Sequence, residues 1–227
     1  MNNPVWEDNY NRGRFNQYPF DRVVSFILST YGNMDRKQVR ILDLGCGGGN
    51  NTVFLAKEGF DVYAVDGSTK SIELTRSFTK GLCDPNKIIQ ADFTHLPFQD
   101  GYFQCVLDRQ SLGHNGSESL DQIISEINRV LLPGKGLYFG MVFSSNHPHR
   151  SYGHFVHPEN YNDMFEFSHG IYKKSGLVHF FTVKEIFERF KAFTVMDVIT
   201  ITTRSLFGMA DSSDNGESFI IKAQRCE

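Results

Sequence analysis

Residues 39–49, Val-Arg-Ile-Leu-Asp-Leu-Gly-Cys-Gly-Gly-Gly, constrain this chain more than any other stretch. Ile41, Leu42 and Leu44 form the short apolar run of a buried strand. Gly45 to Gly49 then make a tight turn, and a helix opens at about Asn51. A strand feeding a glycine-rich turn and a helix N-terminus cradles nucleotide-like ligands, because backbone without side chains can be approached closely. Asp43 stands two residues before the first glycine, where a carboxylate repels a pyrophosphate and attracts a cation. The pattern acid-x-Gly-x-Gly-x-Gly (Asp43, Gly45, Gly47, Gly49) also lacks the third glycine of the dinucleotide fingerprint, whose position is Asn50. The turn fits a positively charged, phosphate-free ligand.

Strands and helices alternate after this point. Asp61–Asp66 alternates as a second strand ending in an acid. Ser68 can cap a helix whose apolar positions are Ile72, Leu74 and Phe78. Lys87–Asp92 and Phe103–Asp108 read as two further strands, each also ending in an acid. Leu120, Ile123, Ile124, Ile127, Val130 and Leu131 keep helical spacing over Ser119–Leu132, and Gly136–Phe143 is a fifth strand. Right-handed crossovers turn such an order into a parallel sheet covered on both faces, with ligands beyond the carboxyl ends of the strands. Asp43, Asp66, Asp92 and Asp108 all fall at such ends. Before this unit, residues 1–18 read as an extended arm pinned by Trp6, Tyr10, Phe15 and Tyr18, or as a lid, and Pro19 starts a helix that stops at Gly32. Residues 144–181 break the rhythm with histidines and aromatics and read as an irregular insertion over the strand ends. The aromatics between Tyr161 and Phe181 suit either a hydrophobic acceptor pocket or the insertion's own core. Thr182-Val-Lys-Glu185 is a capping box, and Phe193–Thr203 and Ser218–Ala223 read as two strands joined by a loop at Gly208–Gly216.

Asp43-Leu-Gly-Cys-Gly-Gly-Gly resembles the first motif of class I S-adenosylmethionine (SAM)-dependent methyltransferases, and the resemblance runs over about residues 20–144. It implies an α/β fold: a doubly wound, mostly parallel seven-stranded sheet with a C-terminal antiparallel strand pair. Residues 1–227 would form one domain, with 1–32 as an N-terminal arm and helix serving as a lid and 144–181 as an inserted, substrate-facing loop region. By resemblance the turn at Gly45, Cys46, Gly47 and Gly49 lies against the methionine part of SAM, with Asp43 near its ammonium. Asp66 resembles the acid that accepts the ribose hydroxyls, with Gly67 and Ser68 beside it. Asp92 and Phe93 resemble the adenine-binding segment. Asp108 opens the stretch that meets the methionyl end and the acceptor.

Methyl transfer asks mainly for positioning, and for a base only when the acceptor stays protonated. His114, just past the fourth strand, is the first candidate base, and otherwise an ordinary core or surface histidine. Arg109 either pairs with Asp108 or anchors an anionic group of the substrate. His147, His149, His154 and His157 lack the helical spacing that would make ligands converge, so no metal is expected. The cluster reads as ordinary loop, or as a lid using Arg150, Tyr152 or His154 against substrate.

The net charge of −3 and a pI near 6.2 argue against nucleic acid, and the lack of a visible recognition domain favours a small-molecule acceptor over a protein one, which is the alternative. No apolar run reaches membrane-spanning length, and Cys46, Cys83, Cys105 and Cys226 are scattered as reduced thiols are. A cytoplasmic monomer or homodimer is therefore expected, methylating oxygen or nitrogen. Two rival functions share these features: an NAD-dependent oxidoreductase, and a SAM-binding sensor or partner subunit without catalysis.

Overall fold

Short apolar runs become strands here where a helix covers them; the computed structural model describes residues 4–157, 160–205 and 215–227, without the side chains of 157, 160 and 161. The strands are β1 (Arg40–Leu44), β2 (Asp61–Asp66), β3 (Ile88–Gln90), β4 (Cys105–Arg109), β5 (Leu137–Phe143), β6 (His154–His157), β7 (Asn160–Phe165), β8 (Val178–His179), β9 (Phe193–Thr203) and β10 (Gly216–Arg225). The helices are α1 (Pro4–Asn11), α2 (Asp21–Tyr31), α3 (Asn50–Lys57), α4 (Thr69–Phe78), α5 (Ser117–Val130) and α6 (Val183–Arg189). Seven strands form one sheet in the order β3-β2-β1-β4-β5-β10-β9. The first five pair in parallel, and β10 runs antiparallel to both β5 and β9. The strand order reverses beside β1, between β2 and β4, which is where ligands bind in sheets of this kind.

Alternation along each strand sends neighbouring side chains to opposite faces. Leu42 and Leu44 enter a core with Ile123, Ile127 and Phe181, whereas Ile41 enters another with Val23, Ile27 and Leu55. The α5 stripe is buried throughout. Each such apolar side chain contributes about 1.5–3 kcal/mol on burial, so α5 and the loop feeding it are firmly placed. Local caps act as their spacing predicts: Ser68 Oγ accepts from the Ser71 N–H at 3.1 Å, and Thr182 Oγ1 from the Glu185 N–H at 3.1 Å.

Three expectations change. The N-terminal arm is not extended over Pro4–Asn11 but helical, and its anchors are distant in sequence. The Glu7 carboxylate accepts from the Lys70 N–H at the start of α4, and Asn9 Nδ2 donates to the Lys174 carbonyl. The insertion is not an irregular loop, because β6, β7 and β8 form a small antiparallel sheet. Its aromatics Phe167, Tyr172 and Phe180 pack with Phe143, Met164 and Val178 as a core of their own, not as a pocket. β3 ends at Gln90, so Asp92 lies in the turn beyond it. Of the loop expected at Gly208–Gly216, residues 208–214 lie outside the described residues, as does the His157 side chain. Among the described residues no helix is long and apolar enough to cross a membrane.

Candidate active site

The glycine turn hangs from the end of β2. The Gly45 and Cys46 N–H groups both donate to the Val65 carbonyl, at 2.8 and 3.0 Å. Gly45, Gly47 and Gly49 hold φ of +73°, +56° and +79°, a left-handed backbone that costs an L-residue roughly 1–2 kcal/mol. Asp66, the last residue of β2, faces the turn. Its Oδ2 accepts from the Gly47 N–H and its Oδ1 from the Ser68 N–H, both at 2.9 Å. Burial pushes its pKa up, and the two N–H donors act against that rise. A carboxylate oxygen can take more than one donor, so Asp66 keeps acceptor capacity toward the space above it.

That space is a cavity of about 210 Å³. Gly45, Cys46, Gly47 and Gly48 form its floor, with Asp66, Gly67, Ser68, Ala91 and Phe93 to one side. Arg109, Gln110, Ser111, His114, Asn115, Asn50 and Asn51 close the other, and Trp6, Tyr10, Arg14, Phe15 and Asn16 supply the rest from the N-terminal segment. A Cβ on Gly48 would lie 2.4 Å from Phe15 Cδ2, and one on Gly47 3.2 Å from Tyr10 Oη. The turn lacks side chains at the points where the N-terminal segment comes down on it.

The four strand-end acids separate. Asp66 lines the cavity. Asp43 is 1% exposed and accepts from Thr52 Oγ1 at 2.6 Å; burial pushes its pKa up to about 6. Asp108 is likewise buried, and burial pushes it up to about 6. It accepts from the Ser111 and Leu112 N–H groups and from the Tyr138 hydroxyl at 3.0 Å, and so fixes the bend after β4. Asp92 is exposed and accepts from the Thr94 N–H and hydroxyl. Asp43, Asp92, Asp108 and Gly49 do not line the cavity. Gly49 instead precedes α3 as its N-cap. The buried Cys46 thiol lies 3.7 Å from Ser71 Oγ and 3.6 Å from Thr75 Oγ1.

Of the three candidates for chemistry, two reach the cavity. His114 Nδ1 lies 3.4 Å from the Leu177 carbonyl, which only accepts, so the proton sits on Nδ1 and Nε2 keeps its lone pair. Burial pushes its pKa down to about 4, leaving the ring neutral at pH 7. Trp6 meets its ring edge-on at 4.7 Å and Phe143 at 5.3 Å. Arg109 makes no ion pair with Asp108, because consecutive strand residues point to opposite faces. Its guanidinium lies over the Phe20 ring, 5.5 Å from the centroid. His154 is exposed on β6 and does not line the cavity. His147 and His149 are buried with rings 5.3 Å apart, and each Nδ1 accepts a backbone N–H, from His149 and Ile171 respectively. Among the described residues no three His, Cys, Asp or Glu side chains gather as a metal site would need.

Sequence reasoning missed Asn51 and Asn115, and reached Gln110 and Ser111 only as part of the stretch after the fourth strand. Gln110 carries φ +70°, unusual for a residue with a side chain and common at working sites. Its only sequence signal was its place directly after a strand that ends at the reversal of order. Ser111 Oγ donates to the Leu44 carbonyl at 2.9 Å and ties the β4 bend to β1.

A sheet of this order, with a glycine turn after β1, an acid ending β2 and an antiparallel closing pair, is the class I SAM-dependent methyltransferase fold. Residues 41–134, from β1 to just past α5, match the family described as "Methyltransferase domain". An uncharacterised methyltransferase of Synechocystis sp. is 34% identical over 101 residues, 42% of this chain and 43% of that protein. The chain thus spans under half the length of that relative. A solved SAM-dependent methyltransferase of Methanosarcina mazei superposes with a TM-score of 0.71 at 20% identity, over 92% of this chain and 99% of that one. The 1,6-didemethyltoxoflavin-N1-methyltransferase of Burkholderia thailandensis, solved with 1,6-didemethyltoxoflavin and S-adenosylhomocysteine, has a TM-score of 0.67 at 17% identity, over 97% of this chain and 85% of that one.

Proposed function

We propose that this chain is a SAM-dependent methyltransferase that moves a methyl group to an oxygen or nitrogen of a small-molecule acceptor by in-line displacement. The observation that carries the reading is Asp66: a carboxylate with spare acceptor capacity, held by Gly47 and Ser68, at the edge of a cavity floored by the glycine turn. The residues fit an adenosyl cofactor. Gly45, Cys46 and Gly47 would hold its methionyl part, Asp66, Gly67 and Ser68 its ribose, and Phe93 its base. Asp43 and Asp108 act from beneath, Asp43 as a fixed negative charge and Asp108 by setting the bend that carries Ser111. Asp92 and Gly49 serve at one remove, by shaping the Phe93 turn and the start of α3.

When bound, SAM supplies a methyl group on a sulfonium, a leaving group that needs no protonation. The chain then has to align an acceptor and keep water out, and positioning alone is worth roughly 7–11 kcal/mol in well-oriented systems. Trp6, Tyr10 and Phe15 cover the cavity and exclude water. His114, neutral with Nε2 unprotonated, takes the acceptor's proton when that acceptor is a hydroxyl or an ammonium. Arg109 serves as a substrate anchor. The acidic balance of the chain and the small-molecule acceptor of the Burkholderia neighbour support a small molecule over nucleic acid. Four free cysteines support a cytoplasmic setting, as monomer or homodimer. The test is release of S-adenosylhomocysteine from labelled SAM offered with fractionated metabolite pools. Transfer in one fraction, lost in Asp66→Ala, is expected. Calorimetry that shows NAD binding and no SAM binding overturns the reading.

A further inference from the structure

The histidine-rich stretch after β5 lines a second hollow, of about 320 Å³, and no described residue lines both it and the cavity over the glycine turn. Two rings stand between them. Phe143 meets His114 of the cavity at 5.3 Å and Tyr172 at 5.0 Å, and Tyr172 meets His147 of the hollow at 4.9 Å. A molecule in the hollow is therefore a second ligand, not the far end of a methyl acceptor. The walls of the hollow are of two kinds. On the polar side, His147 is 4% exposed, and its Nδ1 accepts from the His149 N–H at 3.1 Å, so the proton sits on Nε2. Nε2 makes no hydrogen bond among the described residues and keeps contact with solvent. Gly216, at the start of β10, carries no side chain that could cover it; a Cβ there would lie 3.1 Å from Nε2. Burial and the neighbouring His149 push the His147 pKa down to about 4, so the ring is a neutral N–H donor at pH 7. Arg150 brings a guanidinium to the same hollow, 5.9 Å from the Phe155 ring centroid, and burial pushes its pKa down. No Asp or Glu is among the described residues of the lining. On the apolar side stand Pro148, Met164 and Phe155, whose ring is left 44% exposed on β6.

We infer that this hollow is a second small-molecule site, for an organic acid with an apolar body, whose carboxylate takes the His147 Nε2–H and the Arg150 guanidinium while its body covers Phe155. A donor and a cation on one side select an anion, and such charge-assisted bonds are roughly twice as strong as neutral ones. The apolar side selects against a bare inorganic anion, which would leave Phe155, Pro148 and Met164 facing a hydrated ion. The inference goes beyond the methyltransferase reading and does not depend on it.

The test is a titration of the full, ¹⁵N-labelled chain with three probes, followed by amide NMR. Phenylacetate has the charge and the apolar body, phenylacetamide has the body alone, and inorganic phosphate has the charge alone. Phenylacetate is expected to bind in the millimolar range, as suits a molecule of its size, and to shift amides of residues 145–155 while leaving those of Gly45–Gly49 in place. It should bind about tenfold more tightly than either of the other two. His147→Asn keeps an acceptor for the His149 N–H and loses Nε2; Arg150→Met keeps the stem and loses the charge. Each should bring phenylacetate down to the level of the amide. Phe155→Ser, at an exposed position that folding tolerates, should weaken acid and amide alike, and the amide spectrum itself reports whether each variant is folded. The inference is overturned if phenylacetate causes no shifts up to about 20 mM, if acid and amide bind equally, or if the shifts fall on the glycine turn. Phosphate binding as tightly as phenylacetate marks an adventitious ion only and overturns it too, as does wild-type affinity in the folded variants. A chain that binds phenylacetate here and fails to bind SAM would sink the methyltransferase reading and leave this one standing.

Discussion

The Asp163→Ala substitution tests how the small sheet is fastened to the site. Asp163, on β7, is 2% exposed. Its Oδ1 meets His179 Nδ1 at 2.5 Å, and its Oδ2 accepts from both the N–H and the hydroxyl of Ser117, at 2.9 and 2.7 Å. Ser117 begins α5, so Asp163 caps the helix that carries the largest core stripe. His179 Nε2 meets Glu185 Oε1 at 3.0 Å, and Arg189 Nε donates to that same oxygen at 2.8 Å. Burial pushes the His179 pKa down, but its bonds and charges from Asp163 and Glu185 push it up further, so it lies above the ordinary value. Removing one member of such a buried pair leaves an uncompensated charge, at about 3–5 kcal/mol. A loss of 3 kcal/mol would lower Tm by roughly 6–12 °C in a chain of this size. The assay is urea unfolding of Asp163→Ala beside Asp121→Ala, which removes the 77% exposed end of the same chain of charges. The second change is expected to cost under about 1 kcal/mol. Equal, small losses for both would refute the claim that the buried segment holds the sheet down.

The pH dependence of that stability follows from the signs. The His179 contribution is complete below the ordinary imidazole value of about 6.5 and is lost as pH rises through its elevated folded value. Asp163 and Glu185 lie below their ordinary values, held there by His179 against the effect of burial, so their contribution is present above about pH 4 and is lost as pH falls through their folded values. Wild type minus Asp163→Ala should therefore be largest between those limits, and a difference flat from pH 3 to 9 contradicts it. With a hydroxyl acceptor, His114→Ala should lower kcat by about 10²–10⁴-fold with the acceptor KM little changed; transfer at the wild-type rate removes the base role. Tyr138→Phe deletes a donor to the buried Asp108 and should cost about 1–3 kcal/mol in urea unfolding. Gly49→Ala puts a Cβ 2.8 Å from Thr75 Oγ1 at φ +79°, and its melting temperature should fall by several degrees.

Much of the sheet was legible because its signals are local. Apolar runs, glycine stops and capping residues within a few positions of one another placed β1, β2, β4, α4 and α5 to within a few residues. The turn at Gly45–Gly49 and the acid at Asp66 were readable on the same ground, since each needs only its neighbours in sequence to be recognised. The helix Pro4–Asn11 and the β6-β7-β8 sheet were not, because their partners are remote: Glu7 with Lys70, Asn9 with Lys174, Asp163 with Ser117 and His179.

By itself, then, the sequence placed four acids at or near the ends of strands beside a bend without side chains. Only the folded chain decided what each acid does. Strand alternation and distant donors, Thr52 for Asp43 and Tyr138 for Asp108, drew two of them under the floor. A strand that stopped early left Asp92 outside, and Asp66 alone of the four faces the cavity. The physical reason is that a carboxylate's role is set by which donors reach it and how much water it loses, and both depend on residues far away along the chain.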